Sequence, residues 1–421
     1  MKKLFLALMM LLSLPMLAGS PFVQMRNGQL LKGGKPYYYV GTNFWYGAIL
    51  GSEGQGGNRT RLRHELDQMK KLGIDNLRIL VGSDGEQGVS TKVEPTLQRA
   101  PGVYNDTILA GLDYLLAEMG KRKMVAVLYL NNSWEWSGGY GFYLQHAGMG
   151  KAPIPAVDGY PAYMNFVKQY ATNTKAHELF YDYVRFILGR TNRYTGKKYT
   201  DDPAIMSWQI GNEPRAFDKA VLPQFVGWLS EAAALIRSLD PHHLISVGSE
   251  GLWGCEGDID TYEKICADKN IDYCNVHLWP YNWGWAKQDS LQENLPRAKA
   301  NTKAYIDQHI AVCQRLGKPL VMEEFGYPRD NFSFSLGSTT HARDSYYRYV
   351  FSLIAQEARR QGMFAGCNFW GWGGDAKPVH VNWQVGDDYC GDPAQEQQGL
   401  NSVFASDKST LRVIRDWRKT R

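Results

Sequence analysis

Strand-like and helix-like segments alternate along almost the whole sequence, and this alternation restricts the possible folds more than any other feature. The strand-like segments are short runs of β-branched, aromatic and other apolar residues. The segments between them are longer and repeat apolar residues at helical spacing, as Leu62, Leu66 and Met69 do within 59–72. A chain that alternates in this way favours parallel βαβ units. The eight strand-like segments are 37–43, 76–81, 124–130, 205–210, 244–247, 273–277, 319–324 and 364–370.

Eight strand–helix units in a chain of 421 residues match the number that a (β/α)8 TIM barrel requires. An open, doubly wound sheet is the main alternative. The barrel is favoured because candidate functional residues follow several different strands, as the carboxyl-terminal face of a barrel demands. No linker or internal repeat divides the chain, so we predict a single α/β domain over 20–421 with two long βα loops, 131–163 and 371–400.

The first residues have the pattern of an export signal. Two lysines precede an uncharged apolar stretch over 4–18, and the small residues Gly19 and Ser20 follow it. This arrangement is typical of a secretory signal peptide, whereas a membrane anchor needs about 18 to 20 apolar residues in a row. We therefore predict a signal peptide at 1–19, whose cleavage point the pattern leaves open, and a secreted or periplasmic protein without a membrane span.

Charge and short motifs argue against several classes of partner. The 47 basic and 42 acidic side chains leave a net charge of +5 and are scattered, so a nucleic acid partner is not expected. There is no metal-binding C-x-x-C and no phosphate-binding glycine motif, so neither a metal nor a cofactor is expected. An exported chain can form disulfides, but six cysteines allow fifteen pairings and the sequence does not choose among them. The sequence does not decide the oligomeric state either.

Two glutamates stand at the ends of predicted strands. The fourth strand runs into Asn-Glu-Pro, with Glu213 at its centre, and the seventh ends in Glu324. A carboxylate at the end of a buried strand is costly to place, although a lone one is often only a solvated charge at the rim. In a barrel the fourth and seventh strands face each other across the mouth. Two opposed carboxyl groups are the minimum equipment for hydrolysing a glycosidic bond.

These motifs resemble glycoside hydrolase family 5, whose retaining (β/α)8 enzymes bear two catalytic glutamates on the fourth and seventh strands. The resemblance covers the whole mature chain. It implies that Glu213 is the acid/base and Glu324 the nucleophile of a double displacement. The other site residues that it implies are Arg78 beside the nucleophile, Asn212 at the substrate's 2-hydroxyl, His277 on the sixth strand and the platform Trp370 on the eighth.

Two positions near these residues require a choice. The family often has Tyr two residues after the sixth-strand His, where this chain has Trp279, so Trp279 is a candidate substrate contact whose exact role is open. Glu323 adjoins Glu324, and because side chains alternate along a strand, only one of them is expected to face the mouth. The Phe-Gly that follows favours Glu324, which leaves Glu323 as a supporting or outward-facing residue.

Within the family the sequence is most similar to the β-mannanases. Trp45 after the first strand, Asn131 and Trp134 after the third, and Arg215 after Asn-Glu-Pro fit that group and are expected to bind substrate. The implied activity is hydrolysis of β-1,4-mannosidic bonds in mannan or manno-oligosaccharides. A β-1,4-glucanase with the same machinery is the first alternative. A non-catalytic glycan-binding barrel is the second, and it is disfavoured because both carboxylates are present.

The long loop 131–163 bears on the mode of action. It exceeds the usual length of about 2 to 6 residues, and its glycines and aromatic residues predict a loop ordered by its own rings. Such a loop either walls off the cleft after one or two sugars, giving attack at chain ends, or only lengthens an open groove. Both outcomes are compatible with the sequence.

Overall fold

All eight strand-like segments form strands in the computed structural model, which describes residues 19–420. The predicted signal peptide lies outside the described residues except for Gly19. Every residue of the eight strands is buried, as expected for parallel strands covered on both faces. The strands are β1 (Tyr39–Asn43), β2 (Asn76–Leu80), β3 (Val125–Tyr129), β4 (Ile205–Gln209), β5 (Leu244–Ser246), β6 (Cys274–Leu278), β7 (Leu320–Phe325) and β8 (Phe364–Phe369).

These strands form one parallel sheet in the order β5-β4-β3-β2-β1-β8-β7-β6. The two ends of the sheet, β5 and β6, are therefore consecutive in the chain. Hydrogen bonds connect them: Asp272 N donates to Ile245 O at 2.9 Å, and Gly248 N donates to the side chain of Asn275 at 2.7 Å. The sheet is a nearly closed barrel, which confirms the predicted (β/α)8 TIM barrel.

A helix follows each strand along the chain. Helix α1 has its predicted bounds because local signals end it: the side chain of Asn58 accepts a hydrogen bond from Arg61 N, and Gly73 closes the helix with a φ of +83°. The sequence pattern predicts neither α5 nor α8, since eight or nine residues are too few for a clear helical period. The helices are α1 (Arg59–Leu72), α2 (Asp106–Lys121), α3 (Thr174–Leu188), α4 (Leu222–Leu239), α5 (Ile259–Cys266), α6 (Leu295–Leu316), α7 (His341–Arg360) and α8 (Lys408–Asp416).

The amino-terminal end of the barrel is sealed by apolar residues. Val23 and Leu30, from the segment before β1, belong to one buried cluster with Val125 and Val321, which lie at the starts of β3 and β7. Polar side chains collect instead at the carboxyl-terminal ends of the strands, where the cleft lies. The sealing segment forms a small antiparallel sheet of Gln24–Arg26, Gln29–Lys32 and Lys35–Pro36.

The loop 131–163 packs through its aromatic rings, as predicted. Tyr140, Phe142 and Tyr143 are buried, and Tyr140 stacks on Tyr170 with 4.0 Å between ring centroids. The loop forms two short α-helices, Tyr140–Leu144 and Pro155–Asp158, and a third α-helix, Tyr160–Val167, begins within it.

The loop 371–400 is organised around a buried carboxylate. The side chain of Asp392 accepts hydrogen bonds from the amides of Gly399, Asn401 and Ser402 at 2.9, 3.0 and 3.1 Å. Asp392 thereby fixes the carboxyl-terminal end of the loop. Across residues 19–420, we find no helix with the length and apolar character needed to cross a membrane.

Candidate active site

Glu213 lies four residues beyond the end of β4. Its φ of +48° is left-handed, which is uncommon for a residue with a side chain, and its amide donates to Gly248 O at 2.9 Å. Its carboxylate lies in the cleft, where Trp134 Nε1 donates to Oε2 at 2.7 Å. Only 8% of the residue is exposed. Backbone strain at a buried carboxylate points to a functional position.

Glu324 lies near the end of β7, on the opposite side of the barrel mouth. Arg78 Nη1 donates to its Oε1 at 2.6 Å, and Trp279 Nε1 donates to its Oε2 at 3.2 Å. The residue is 3% exposed, and its carboxylate reaches the same cleft as that of Glu213. The structure therefore brings the two predicted glutamates together.

His277, from β6, lies between the two carboxylates. Its Nδ1 is 2.9 Å from Oε1 of Glu213 and 3.5 Å from Oε2 of Glu324. One oxygen of each carboxylate and one ring nitrogen of His277 all lie within 4.8 Å of one another. Burial lowers the pKa of His277 to about 4, so the imidazole is neutral at neutral pH. The two carboxyl groups are close enough to act on a single bond.

Arg78, from β2, connects the strands that carry the two glutamates. Besides Glu324, it binds Oδ1 of Asn212 through Nη2 and Oε1 of Gln209 through Nε, both at 2.8 Å. Its guanidinium also lies over the ring of Tyr129, 4.5 Å from the centroid. The side chain has no exposed surface. Arg78 is thus a fixed positive charge beneath the cleft, beside Glu324 as predicted.

Burial raises the pKa of the carboxyl group of Glu324, and the negative charge of Glu213 adds to the rise. The charge of the Arg78 guanidinium and its hydrogen bond oppose this rise. The hydrogen bond from Arg78 is direct and charge-assisted, which is the strong kind. The ion pair therefore favours the carboxylate form of Glu324.

Burial also raises the pKa of Glu213, and the charge of Arg215, the hydrogen bond from Trp134 and the charge of Arg78 oppose this rise. The charge of Arg215 is shared with Glu250, to which it donates two hydrogen bonds of 2.5 and 2.9 Å. The direct donor to Glu213 is the neutral indole of Trp134. Of the two glutamates, Glu213 is the one that its surroundings favour in the protonated form.

Glu323 lies inside the barrel, so the outward-facing interpretation is wrong. The pairing of β6 with β7 matches Val276 with Met322 and then His277 with Glu324, so Glu323 is the extra residue of a bulge. The regular alternation assumed from the sequence fails at this point. Gln209 Nε2 donates to the Glu323 carboxyl at 2.6 Å, beneath Arg78. Burial raises the pKa of Glu323 to about 7, which fits a supporting residue.

The glutamates lie in a cleft of about 350 Å³. Seven of the predicted residues line it: Trp134, Asn212, Glu213, Arg215, Trp279, Glu324 and Trp370. The residues that complete the lining are Trp136, Tyr160, Glu250, Asn282, Trp283, Gln395 and Glu396.

The spacing of Glu213, His277 and Glu324 is also compatible with three ligands of a cation. Arg78, 2.6 Å from Glu324, would repel such an ion at close range. The arrangement therefore fits a pair of acids better than a metal centre.

Comparison with known proteins decides the family. A family profile described as GH family 5 beta-mannosidase-like matches residues 20–420. The chain belongs to glycoside hydrolase family 5. It is accordingly a glycoside hydrolase of the mannanase and mannosidase type.

Individual relatives in family 5 agree with this assignment. A putative mannan endo-1,4-beta-mannosidase 9 from Oryza sativa subsp. japonica is 29% identical over 84% of this chain and 82% of its own length. The crystal structure of a family 5 mannosidase from Rhizomucor miehei is 32% identical, with a TM-score of 0.86 over 96% of this chain and 98% of that one. A glutamate-to-alanine variant of the same enzyme, in complex with mannosyl-fructose, has a TM-score of 0.88 over 95% and 97% of the two chains.

Besides Arg78 and His277, which contact the two glutamates, two further residues predicted from the family 5 motifs do not line the cleft. Trp45 is buried, its indole donates to Gly391 O at 2.9 Å, and its ring packs edge-on against Trp136, 5.9 Å between centroids. Asn131 is also buried, and its carbonyl accepts from the amide of Asn212 at 2.8 Å. The structure places Trp45 and Asn131 behind the cleft lining, and their contact with sugar stays a prediction. Each supports a residue that lines the cleft.

Other residues of the family 5 cleft were not predicted. Glu250 follows β5 in the same way that Glu213 follows β4, so the end of the fifth strand is the signal that could have found it. Gln395 and Glu396 lie late in the loop 371–400. They belong to no segment with helical or strand periodicity and do not directly follow a strand, so the sequence gives no signal for them. Only the folding of that loop over β8 brings them to the site.

Proposed function

We propose that Glu324 and Glu213 hydrolyse a glycosidic bond with retention of anomeric configuration. The observation that carries this proposal is the approach of an oxygen of each carboxylate, with a nitrogen of His277, to within 4.8 Å. Retaining enzymes have carboxyl groups about 5 to 5.5 Å apart, whereas inverting enzymes need about 6.5 to 9.5 Å to admit a water molecule. The short separation supports a double displacement.

In the first step a carboxylate oxygen of Glu324 attacks the anomeric carbon, and the bond to the leaving oxygen breaks. Glu213 gives its proton to that oxygen, so the leaving chain departs as a neutral alcohol. In the second step the ionised Glu213 takes a proton from water, whose oxygen attacks the same carbon and releases Glu324 as a carboxylate. Arg78 stabilises that carboxylate before and after the reaction, 2.6 Å from it.

Two measurements test this mechanism. Proton NMR of an early reaction mixture should show the β-anomer of the new reducing end first, because retention follows from two inversions; the α-anomer would exclude the scheme. A fluorosugar that traps the glycosyl-enzyme should label Glu324 in the peptide map. A label on Glu323 would reverse the assignment of the nucleophile.

We infer that the bond hydrolysed is β-1,4-mannosidic. Support comes from the names of the relatives, a mannan endo-1,4-beta-mannosidase and a family 5 mannosidase, and from the mannosyl-fructose complex of the latter. The test measures the release of reducing ends from linear β-1,4-mannan and from carboxymethylcellulose in parallel. Greater release from the cellulose substrate would favour the glucanase alternative.

We further propose that the enzyme attacks chain ends. Trp136 and Tyr160 from the loop 131–163, and Gln395 and Glu396 from the loop 371–400, line the same cleft. Residues of both loops therefore border one cleft. The volume of about 350 Å³ is near the lower end of the range of about 300 to 1,000 Å³ for ligand sites. A small cleft bordered by two loops suits one or two sugars on the glycone side.

Viscometry tests the mode of action. An enzyme that removes short units from non-reducing ends should lower the viscosity of soluble mannan slowly relative to the reducing ends released, with mannose or mannobiose as the main early product. A rapid fall in viscosity with mixed oligosaccharides would show an open cleft and refute end attack.

We propose finally that the protein is exported, on the basis of the signal pattern at 1–19. Fractionation of cells that express the full chain tests this. Activity in the periplasm or medium, with an amino terminus near residue 20, is expected. Activity confined to the cytoplasm would refute export.

A further inference from the structure

Trp253, in the loop between β5 and α5, is the one exposed tryptophan among residues 19–420. It keeps 46% of its surface accessible, whereas every other tryptophan in that range is buried or half-buried. A single exposed apolar ring is ordinary on a protein surface, so exposure alone indicates little. What distinguishes Trp253 is how it is held and what it adjoins.

The backbone around Trp253 is anchored to helix α6. Its amide donates to Tyr305 Oη at 3.3 Å, and the amide of Leu252 donates to His309 Nε2 at 2.9 Å. Tyr305 Oη in turn donates to Glu250 O at 2.7 Å. These hydrogen bonds hold the loop in place, so a ligand that contacts the indole causes little further loss of backbone conformational entropy.

The indole also continues the wall of the cleft. Trp253 packs edge-on to Trp283, with 6.4 Å between ring centroids, and Trp283 lines the cleft. Glu250, three residues earlier in the same loop, lines the cleft as well and pairs with Arg215. The exposed ring therefore stands just outside the cleft, next to the residues that follow β4, β5 and β6.

In the proposed mechanism the leaving chain departs on this side of the cleft. Glu213 protonates the leaving oxygen in the proposed mechanism, and Arg215 is two residues from Glu213 in the chain. The residues from the loop 371–400 lie toward β8 instead, whereas Trp134 of the loop 131–163 lies beside Arg215, 5.6 Å from ring centroid to guanidinium. A substrate longer than the cleft would extend past Arg215 and Trp283 toward Trp253.

We propose that Trp253 binds a distal β-1,4-linked mannosyl residue on the leaving-chain side, by stacking its indole on the apolar face of the pyranose ring. The inference rests on the proposed function, since it requires a β-mannan chain in the cleft. Its chemistry is that of ring stacking, in which a flat apolar surface covers C–H groups while the sugar hydroxyls stay in water. Trp253 is then a determinant of chain-length preference and has no part in bond cleavage.

The test compares mannobiose, too short to reach Trp253, with mannohexaose. For W253A we expect kcat/KM on mannohexaose to fall about five- to tenfold through a higher KM, with kcat unchanged and mannobiose hydrolysed as by the wild type. W253F should recover most of the loss, because it restores a ring. Thermal unfolding of each variant verifies that the fold is retained.

The matched control is Y194A. Tyr194 is 44% exposed and packs edge-on to another ring, Tyr114, but it follows α3 and lies at the opposite end of the barrel. The Y194A variant should have the wild-type kcat/KM on both substrates. Unchanged kinetics of W253A on mannohexaose would overturn the inference, and so would an equal loss on both substrates, which would indicate a structural role. A wild-type chain that hydrolyses neither substrate would overturn the proposed function itself, and the inference with it.

Discussion

The two glutamates are chemically identical, and their immediate partners make them different. Glu324 receives a charge-assisted hydrogen bond from Arg78 at 2.6 Å, whereas Glu213 receives a hydrogen bond from the neutral Trp134 at 2.7 Å. A fixed cation stabilises the ionised form of the first, and burial without such a cation favours the neutral form of the second. A nucleophile and an acid are thereby obtained from one residue type.

The first prediction separates these roles by the leaving group. E324A should lose nearly all turnover on every substrate, because no covalent intermediate can form. E213A should be inactive on mannan but keep activity on aryl mannosides with good leaving groups, because these need no acid in the first step. Steady-state kinetics of both variants, with E53A at an exposed glutamate as control, give the comparison. Equal losses by E213A on the two substrate types would contradict its role as acid.

The second prediction concerns pH. Burial raises the pKa of Glu213, and only its protonated form serves as the acid. The value of kcat/KM on manno-oligosaccharides should therefore fall as pH rises through a pKa above the ordinary glutamate value of about 4.3. In E213A, assayed on an aryl mannoside with a good leaving group, this alkaline limb should be absent. A limb that persists unchanged would assign the titration to another group.

At the scale of elements, the barrel positions its site residues at the ends of strands. One irregularity, a bulge in β7, changes the direction in which a side chain of that strand points. The bulge at Glu323 allows both neighbouring glutamates to point inward, one into the cleft and one beneath Arg78. Regular alternation correctly selects Glu324 for the cleft but wrongly permits Glu323 to face outward. A bulge is set by pairing between strands, so the sequence of β7 alone does not reveal it.

The third prediction concerns the connection between α4 and β5. Burial opposes ionisation of Asp240, but hydrogen bonds of 2.6 Å from His243 and from Trp208 outweigh it and lower its pKa to about 2. A lowered pKa stabilises the fold above the unfolded pKa of about 3.9, and this contribution is lost as pH falls toward 2.

D240N should accordingly reduce the free energy of unfolding by about 2 kcal/mol near neutral pH, and the difference from wild type should shrink between about pH 4 and pH 2. Denaturant unfolding at several pH values measures it. D182N, at an aspartate whose side chain is 72% exposed, serves as the control and should have little effect. A pH-independent loss in D240N would point to packing instead of charge.

At the scale of the whole molecule, the fold places the two reactive carboxylates in the cleft and buries other side chains that could react. The six cysteines are an example, since all are buried and none forms a disulfide in this structure. Burial raises the pKa of the thiols of Cys255, Cys266, Cys367 and Cys390, to about 12 at Cys390, and the thiolate is the reactive form. In the described fold these thiols are therefore poorly reactive.

The fourth prediction follows from those thiols. The native protein should react slowly with a thiol reagent such as DTNB, whereas protein denatured without reductant should titrate six thiols, and dithiothreitol should leave the melting temperature unchanged. Fewer than six thiols would show that export creates a disulfide absent from this structure. The residues concerned are Cys255, Cys266, Cys274, Cys313, Cys367 and Cys390.

The sequence by itself determined the eight strands, the barrel and the two glutamates at strand ends. These features depend on local period and on position relative to a strand, both of which neighbouring residues encode. Only the tertiary structure decided which rings and carboxylates reach the cleft. Trp45 is held away from it by Gly391, 346 residues later in the chain, while Glu396 arrives on a loop with no pattern of its own. Contacts between such distant segments arise from packing of the complete barrel, which local spacing does not describe.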